Sequence, residues 1–237
     1  MDSYFADNYD EARGKFLAAA EKAGASAWQF AHPMKGPSGG DLGVDIIILG
    51  SQYARNIVVA GSATHGIEGF CGSGCQIGFL RENWRARLNS DTALVLVHAN
   101  NPHGFAHLRR VNEDNIDLNR NFINFEDGLP KSPGYAKLHA SLVPDTWNGP
   151  AREDADRAIE AFKQREGLKI FQQITSAGQY NFPDGLFYGG CGPSWSRRTI
   201  EGFARECLSG ARRIAMVDFH TGLGPRGYGE VIGRGGL

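Results

Sequence analysis

Three short apolar runs, residues 56–60, 93–97 and 214–219, each lead into a segment crowded with glycine, histidine or asparagine. Runs this short and this rich in valine, isoleucine and leucine suit strands buried in a sheet; buried helices need more length. Another such run, 44–49, precedes the first, and the turn residues between 51 and 55 predict that 44–49 pairs with 56–60. Helical periodicity separates the runs. Residues 8–23 read as an amphipathic helix ending at Gly24. Residues 68–88 place Ile77, Leu80, Trp84 and Leu88 at helical spacing. Residues 151–165 and 193–209 read as helices, 169–175 as a strand between them, and 99–149 as loop-rich. Alternating strands and helices predict an α/β fold, a mixed, largely parallel central sheet flanked by helices.

In such sheets, ligand-binding groups collect in the loops beyond the strand carboxyl ends. Residues 61–69, 98–122 and 220–229 occupy that position after their respective runs. The first contains His65-Gly66-Ile67-Glu68. A histidine and a glutamate three apart at a strand-to-helix turn can aim at one point, and both are ordinary zinc ligands. Alone, the pair equally suits a helix N-terminus with Glu68 on the positive end of the dipole. The third segment begins with His220, leaving the end of an apolar strand. Two ligands close in sequence and one distant is the usual layout of a catalytic zinc site. The middle segment gathers Arg109, Arg110 and Arg120 with Asn112, Asn119 and Asn121. Guanidinium forks and amide donors suit a carboxylate held bidentately.

Bulk properties narrow the partners. Twenty-five basic residues nearly cancel 26 acidic ones, and no basic run appears, so neither nucleic acid nor an anionic membrane surface is an expected partner. No apolar stretch approaches the roughly 20 residues of a membrane span. The first ten residues hold Asp2, Asp7 and Asp10 and no apolar core, unlike a secretory leader, so a cytoplasmic location is expected. Cys71, Cys75, Cys191 and Cys207 form no C-x-x-C pair; buried, reduced thiols are expected rather than disulfides or a four-cysteine zinc knot. The letters G-x-G-x-x-G at 222–227 lack the following helix and strand of a dinucleotide site, and His103 and His107 lack the glutamate of H-E-x-x-H. His98, also at a strand end, is the reserve candidate for third ligand.

Taken in order, H-x-x-E, Asn101-Pro102-His103-Gly104-Phe105, Arg110-Val111-Asn112, Asp117-Leu118-Asn119-Arg120-Asn121-Phe122 and the late His220 resemble the zinc carboxypeptidase (M14) superfamily. His65–Gly69, the 109–122 stretch and Asp218-Phe219-His220-Thr221-Gly222-Leu223-Gly224 are most similar to its DUF2817 branch of predicted metallopeptidases. The resemblance implies one zinc ion on His65, Glu68 and His220. It implies Arg110 as the group that polarises the scissile carbonyl, Asn119 and Arg120 as the carboxylate-binding pair, and Asp117 behind His65. It implies a hydrolase of a peptide or amide bond next to a free carboxylate. An N-acyl amino acid deacylase and a non-catalytic metal- and carboxylate-binding protein stand as alternatives. The family's general base is a glutamate on a strand well beyond the third ligand; Glu230, the one acid after His220, is too near to fill that place. The expectation is therefore a single catalytic domain over residues 1–237, cut short at its C-terminal side.

Overall fold

The computed structural model describes residues 3–233. Five strands form one mixed sheet: β1 (Ala27–Lys35), β2 (Asp41–Leu49), β3 (Asn56–Gly61), β4 (Thr92–His98) and β5 (Arg213–Asp218), in spatial order β1-β2-β4-β3-β5. β1 and β4 each run antiparallel to β2, whereas β4 and β5 run parallel to β3. The parallel trio puts the carboxyl ends of β3, β4 and β5 on one edge, and the three segments singled out above leave from that edge.

The alternation of β4 explains its central position. Leu94 and Leu96 point into a core with Ile47, Leu49 and Ala60, covered by Phe16, Ala19 and Ala20 of α1 (Tyr9–Lys22) and Ile77 and Leu80 of α2 (Gly69–Arg81). Val95 and Val97 point the other way, into a core with Val44, Ile46, Ile57 and Val59, covered by Phe203 of α8 (Trp195–Cys207). A strand apolar on both faces belongs inside a sheet. β4 therefore lies between β2 and β3, and the expected pairing of 44–49 with 56–60 is not found.

The remaining helices are α3 (Pro102–Ala106), α4 (Leu118–Asn121), α5 (Pro133–Leu142), α6 (Pro150–Glu166) and α7 (Leu168–Ser176). α7 covers the run expected as a strand. Its β-branched and aromatic residues recur at helical spacing, and the packing is helical too: Phe171 lies against Phe162 of α6, and Ile174 against Gly134 of α5. Tertiary contacts override a modest strand propensity here. The helix expected over 68–88 divides, because Asn83 adopts a left-handed conformation (φ 51°) between α2 and a short 3-10 turn at Trp84–Arg87. β1 is not among the expected strands; Gln29, His32 and Pro33 interrupt its apolar residues, and most of the strand is exposed. β5 was expected to be buried. Instead Ile214, Met216 and Val217 are exposed, and the strand pairs with β3 alone among the described strands. All four cysteines are free, but Cys191 is exposed and the others half-buried.

Candidate metal centre

At the sheet edge, polar side chains tie the three strand ends together. The Asn100 amide donates to Thr64 Oγ1 at 2.8 Å, and that hydroxyl donates to Asp218 Oδ1 at 2.9 Å. Past Thr64 the chain turns through His65 into a 3-10 turn, Gly66–Glu68, and then into α2. The turn docks on the neighbouring loop through the Gly66 and Ile67 amides, which donate to the Arg110 and Arg109 carbonyls. Gly66 sits so close to the Gly104–Phe105 backbone that a Cβ would collide with it. Only glycine allows this approach, and the approach is what brings His65 and Glu68 beside Arg110.

Glu68 lies between two imidazoles. His65 Nδ1 stands 3.0 Å from Glu68 Oε1, and His220 Nδ1 stands 3.3 Å from Oε2. The Thr221 amide also donates to Oε2, at 2.6 Å. Each imidazole has a carboxylate at its other nitrogen: His65 Nε2 is 3.2 Å from Asp117 Oδ1, and His220 Nε2 is 2.8 Å from Asp218 Oδ2. A carboxylate behind a ligand imidazole fixes its tautomer and ring orientation.

The electrostatics are those of a tightly shared cluster. Burial opposes ionisation of Glu68, yet hydrogen bonds from His220, His65 and Thr221 outweigh it and hold the carboxyl well below the usual range. Burial likewise opposes the charge on Asp117, but His65 and the Arg110 guanidinium bring its pKa down to about 2. Bonds to Asp218 and Glu68 push His220 up to about 10. For His65, burial works against the imidazolium, and the bonds to Asp117 and Glu68 prevail, so its pKa is raised.

The donor set fits a divalent ion. His65, Glu68 and His220 each offer one ligand atom, and these atoms all lie within 4.8 Å of one another. Tetrahedral ligands about 2.0–2.2 Å from zinc stand about 3.3–3.6 Å apart; the 3.0 and 3.3 Å separations run to different oxygens of Glu68, so coordination through one oxygen needs a small rotation of that carboxylate. An ion would replace the protons the three groups now share.

Arginines line the same edge. Arg110 Nε donates to Asp117 Oδ2 at 3.1 Å, and its Nη1 lies 3.9 Å from Glu68 Oε1. The Asn119 amide is 3.3 Å from His65 Nε2, and Arg120 donates to the Ser176 carbonyl at 2.7 Å. Both guanidinium groups approach the ring of Phe187. Phe187 and the loop around it were not singled out in the sequence, where nothing links a lone phenylalanine to arginines so far upstream.

Other candidate residues lie outside this cluster. His98 is fully buried, stacked on Phe16 and bonded to Ser73, so it belongs to the core between the sheet and α1–α2. His103 stacks on His107 and is not part of the three-residue ligand group. Gly36-Pro37-Ser38-Gly39-Gly40 spells G-x-S-x-G, but it forms the turn between antiparallel β1 and β2, not the strand-to-helix elbow of a serine hydrolase.

The sequence model of a family described as "Protein of unknown function (DUF2817)" matches residues 5–236. No curated protein matches the chain. Among solved structures, the crystal structure of thrombin activatable fibrinolysis inhibitor has a TM-score of 0.50 at 14% identity, covering 90% of this chain and 47% of the other. The bovine form of that inhibitor, in complex with tick carboxypeptidase inhibitor, has a TM-score of 0.49 at 11% identity, covering 92% of this chain and 60% of the other. The chain thus spans between about half and three-fifths of the length of these structures, and shares with the first a fold.

Proposed function

The chain belongs to the DUF2817 family, and from that premise we propose that it is a zinc-dependent hydrolase of the carboxypeptidase type, acting on a peptide or amide bond beside a free carboxylate. One observation carries the reading: a single carboxylate, Glu68, lies between the Nδ1 atoms of His65 and His220 at ligand spacing, with Asp117 and Asp218 behind the two rings.

In this reading His65, Glu68 and His220 hold the ion. When bound, zinc supplies Lewis acidity toward a substrate carbonyl and toward water. The chain's own groups supply ligand orientation, substrate binding and charge stabilisation. Asp117 keeps the proton of His65 on Nε2, so that Nδ1 presents its lone pair to the ion. The bond from Arg110 Nε to Asp117 fixes that guanidinium near the ligands, where it faces the negative charge that develops on a carbonyl oxygen under attack. Asn119 and Arg120, on the short helix α4, would take the substrate carboxylate and thereby fix which bond is presented for cleavage. Holding the reacting groups in register is itself a large part of a hydrolase's rate.

The test is direct. The zinc-loaded protein is assayed on short peptides with a free C-terminal carboxylate and on the same peptides amidated, with and without a chelator. Cleavage confined to the free acids and abolished by chelation is the expected result. Zinc uptake without cleavage of either set would favour a binding role instead.

A further inference from the structure

Phe187 stands 5.0 Å, ring centroid to guanidinium carbon, from Arg110 and 5.8 Å from Arg120. Both lie within the range over which a cation is attracted to an aromatic face. Its backbone is left-handed, with φ at 52°, a conformation that an aromatic residue rarely adopts and that persists only where the surroundings impose it.

The surroundings do impose it. The Phe187 carbonyl accepts from the Gln179 amide at 3.1 Å, and the next carbonyl, of Tyr188, accepts from the Asp117 amide at 2.8 Å. The fully buried Gln179 side chain accepts from the Asn181 and Phe182 amides and donates to the Phe182 carbonyl. The Tyr135 hydroxyl accepts from the Leu186 amide at 2.6 Å. The loop that carries the strained residue is therefore tied on one side to Asp117, the carboxylate that holds both His65 and Arg110.

The same guanidinium groups are also held by hydrogen bonds. Arg110 is held by Asp117, and Arg120 by the Ser176 carbonyl, with its stem against Gly178, where φ is 100° and a side chain would clash. Two cations gathered around one ring repel, and long side chains lose entropy on ordering. A ring approached by both offsets each cost and gives them a common reference point.

We infer that Phe187 is a positioning residue that sets the spacing of the Arg110 and Arg120 guanidinium groups, so that a substrate carboxylate on one and a carbonyl oxygen on the other are held in register. The inference rests on the function proposed above for the two arginines, and its test separates the two.

Zinc-loaded wild-type protein, Phe187→Leu and Phe187→Tyr are compared by calorimetric titration with N-benzoylglycine, a simple carboxylate probe. The Nε–H resonances of Arg110 and Arg120 are followed by NMR in the same proteins. All three side chains pay the same left-handed strain, so a difference reports the ring. Expected are roughly fivefold weaker binding in Phe187→Leu, the scale of losing cation–π contacts, with recovery in Phe187→Tyr and unchanged zinc content. The two arginine resonances should shift in Phe187→Leu and return in Phe187→Tyr. If Phe187→Leu does not fold, Phe187→Met takes its place. Unmoved resonances and unchanged affinity would overturn the inference. Failure of the wild type to bind the probe would count against the proposed function instead, and the resonances would still decide the role of Phe187.

Discussion

The rings of His65 and His220 meet edge to face with centroids 4.9 Å apart. One leaves the carboxyl end of β3 and the other the end of β5, and these strands are parallel neighbours with Gly61 opposite Asp218. Their meeting follows from that register. A one-residue slip of β5 would turn its side chains to the opposite faces and carry His220 away from Glu68.

The carboxylate behind His65 should govern metal affinity. Asp117→Asn keeps the shape but loses the charge that orients the imidazole, and a loss of about 10–100-fold in zinc affinity is expected. Competition with a chelating dye measures it. An affinity equal to the wild type would remove Asp117 from the account.

Arg110→Ala should leave zinc content unchanged and lower kcat by about 10²–10³-fold on a cleaved peptide, the usual loss of one charge-stabilising donor. Arg120→Ala should instead raise KM for free acids and leave kcat much less affected. Steady-state kinetics separate the two roles, and identical effects from both variants would contradict them. Running N-acyl amino acids beside the peptides discriminates a deacylase from a peptidase.

Stability should fall with acid through His98. Burial drives its pKa down to about 3 from the ordinary 6.5, so the folded protein keeps it neutral while the unfolded chain takes up a proton below about 6.5. The unfolded state then binds more protons, and stability drops as the pH falls from about 6.5 toward about 3, by up to about 1.4 kcal/mol per pH unit. His98→Gln, which can still bond Ser73, should flatten that slope in urea unfolding at pH 7, 5.5 and 4. Parallel slopes in the two proteins would contradict it.

Gly66→Ala tests the close approach on which the site depends. The added methyl meets the Gly104–Phe105 backbone, which cannot swing aside as a side chain would, so a cost of about 1–3 kcal/mol or more is expected. Thermal unfolding reads this as a lower midpoint, together with weaker zinc binding. An unchanged midpoint would mean that the turn and α3 are not pressed together.

Much of this architecture could be read from the chain. Asn8 before Tyr9 and Gly24 after Lys22 bracket α1 closely, and the apolar runs at 93–97 and 56–60 become β4 and β3 almost residue for residue. Their exits point to the site because a parallel sheet gathers strand ends on one side. The pairing of strands was hidden, since only the two-faced burial of β4 decides that it separates β2 from β3. β1 was hidden because Gln29, His32 and Pro33 break its apolar pattern, and α7 because its isoleucines and phenylalanine suit a strand as well as a helix stripe. The exposure of Ile214 and Met216 ran against their composition, since apolar character says that burial is favourable without saying what supplies it. Phe187 was invisible for a different reason: its relation to the arginines exists only after the loop at 177–190 has closed on Asp117.

The most direct measurement is the anomalous diffraction of zinc-loaded crystals above and below the zinc edge. The account predicts one peak about 2.0–2.2 Å from His65 Nδ1, His220 Nδ1 and a Glu68 oxygen, lost in His220→Ala. A protein that takes up no zinc, or a peak bound elsewhere with Glu68 still bonded to both imidazoles, would contradict it.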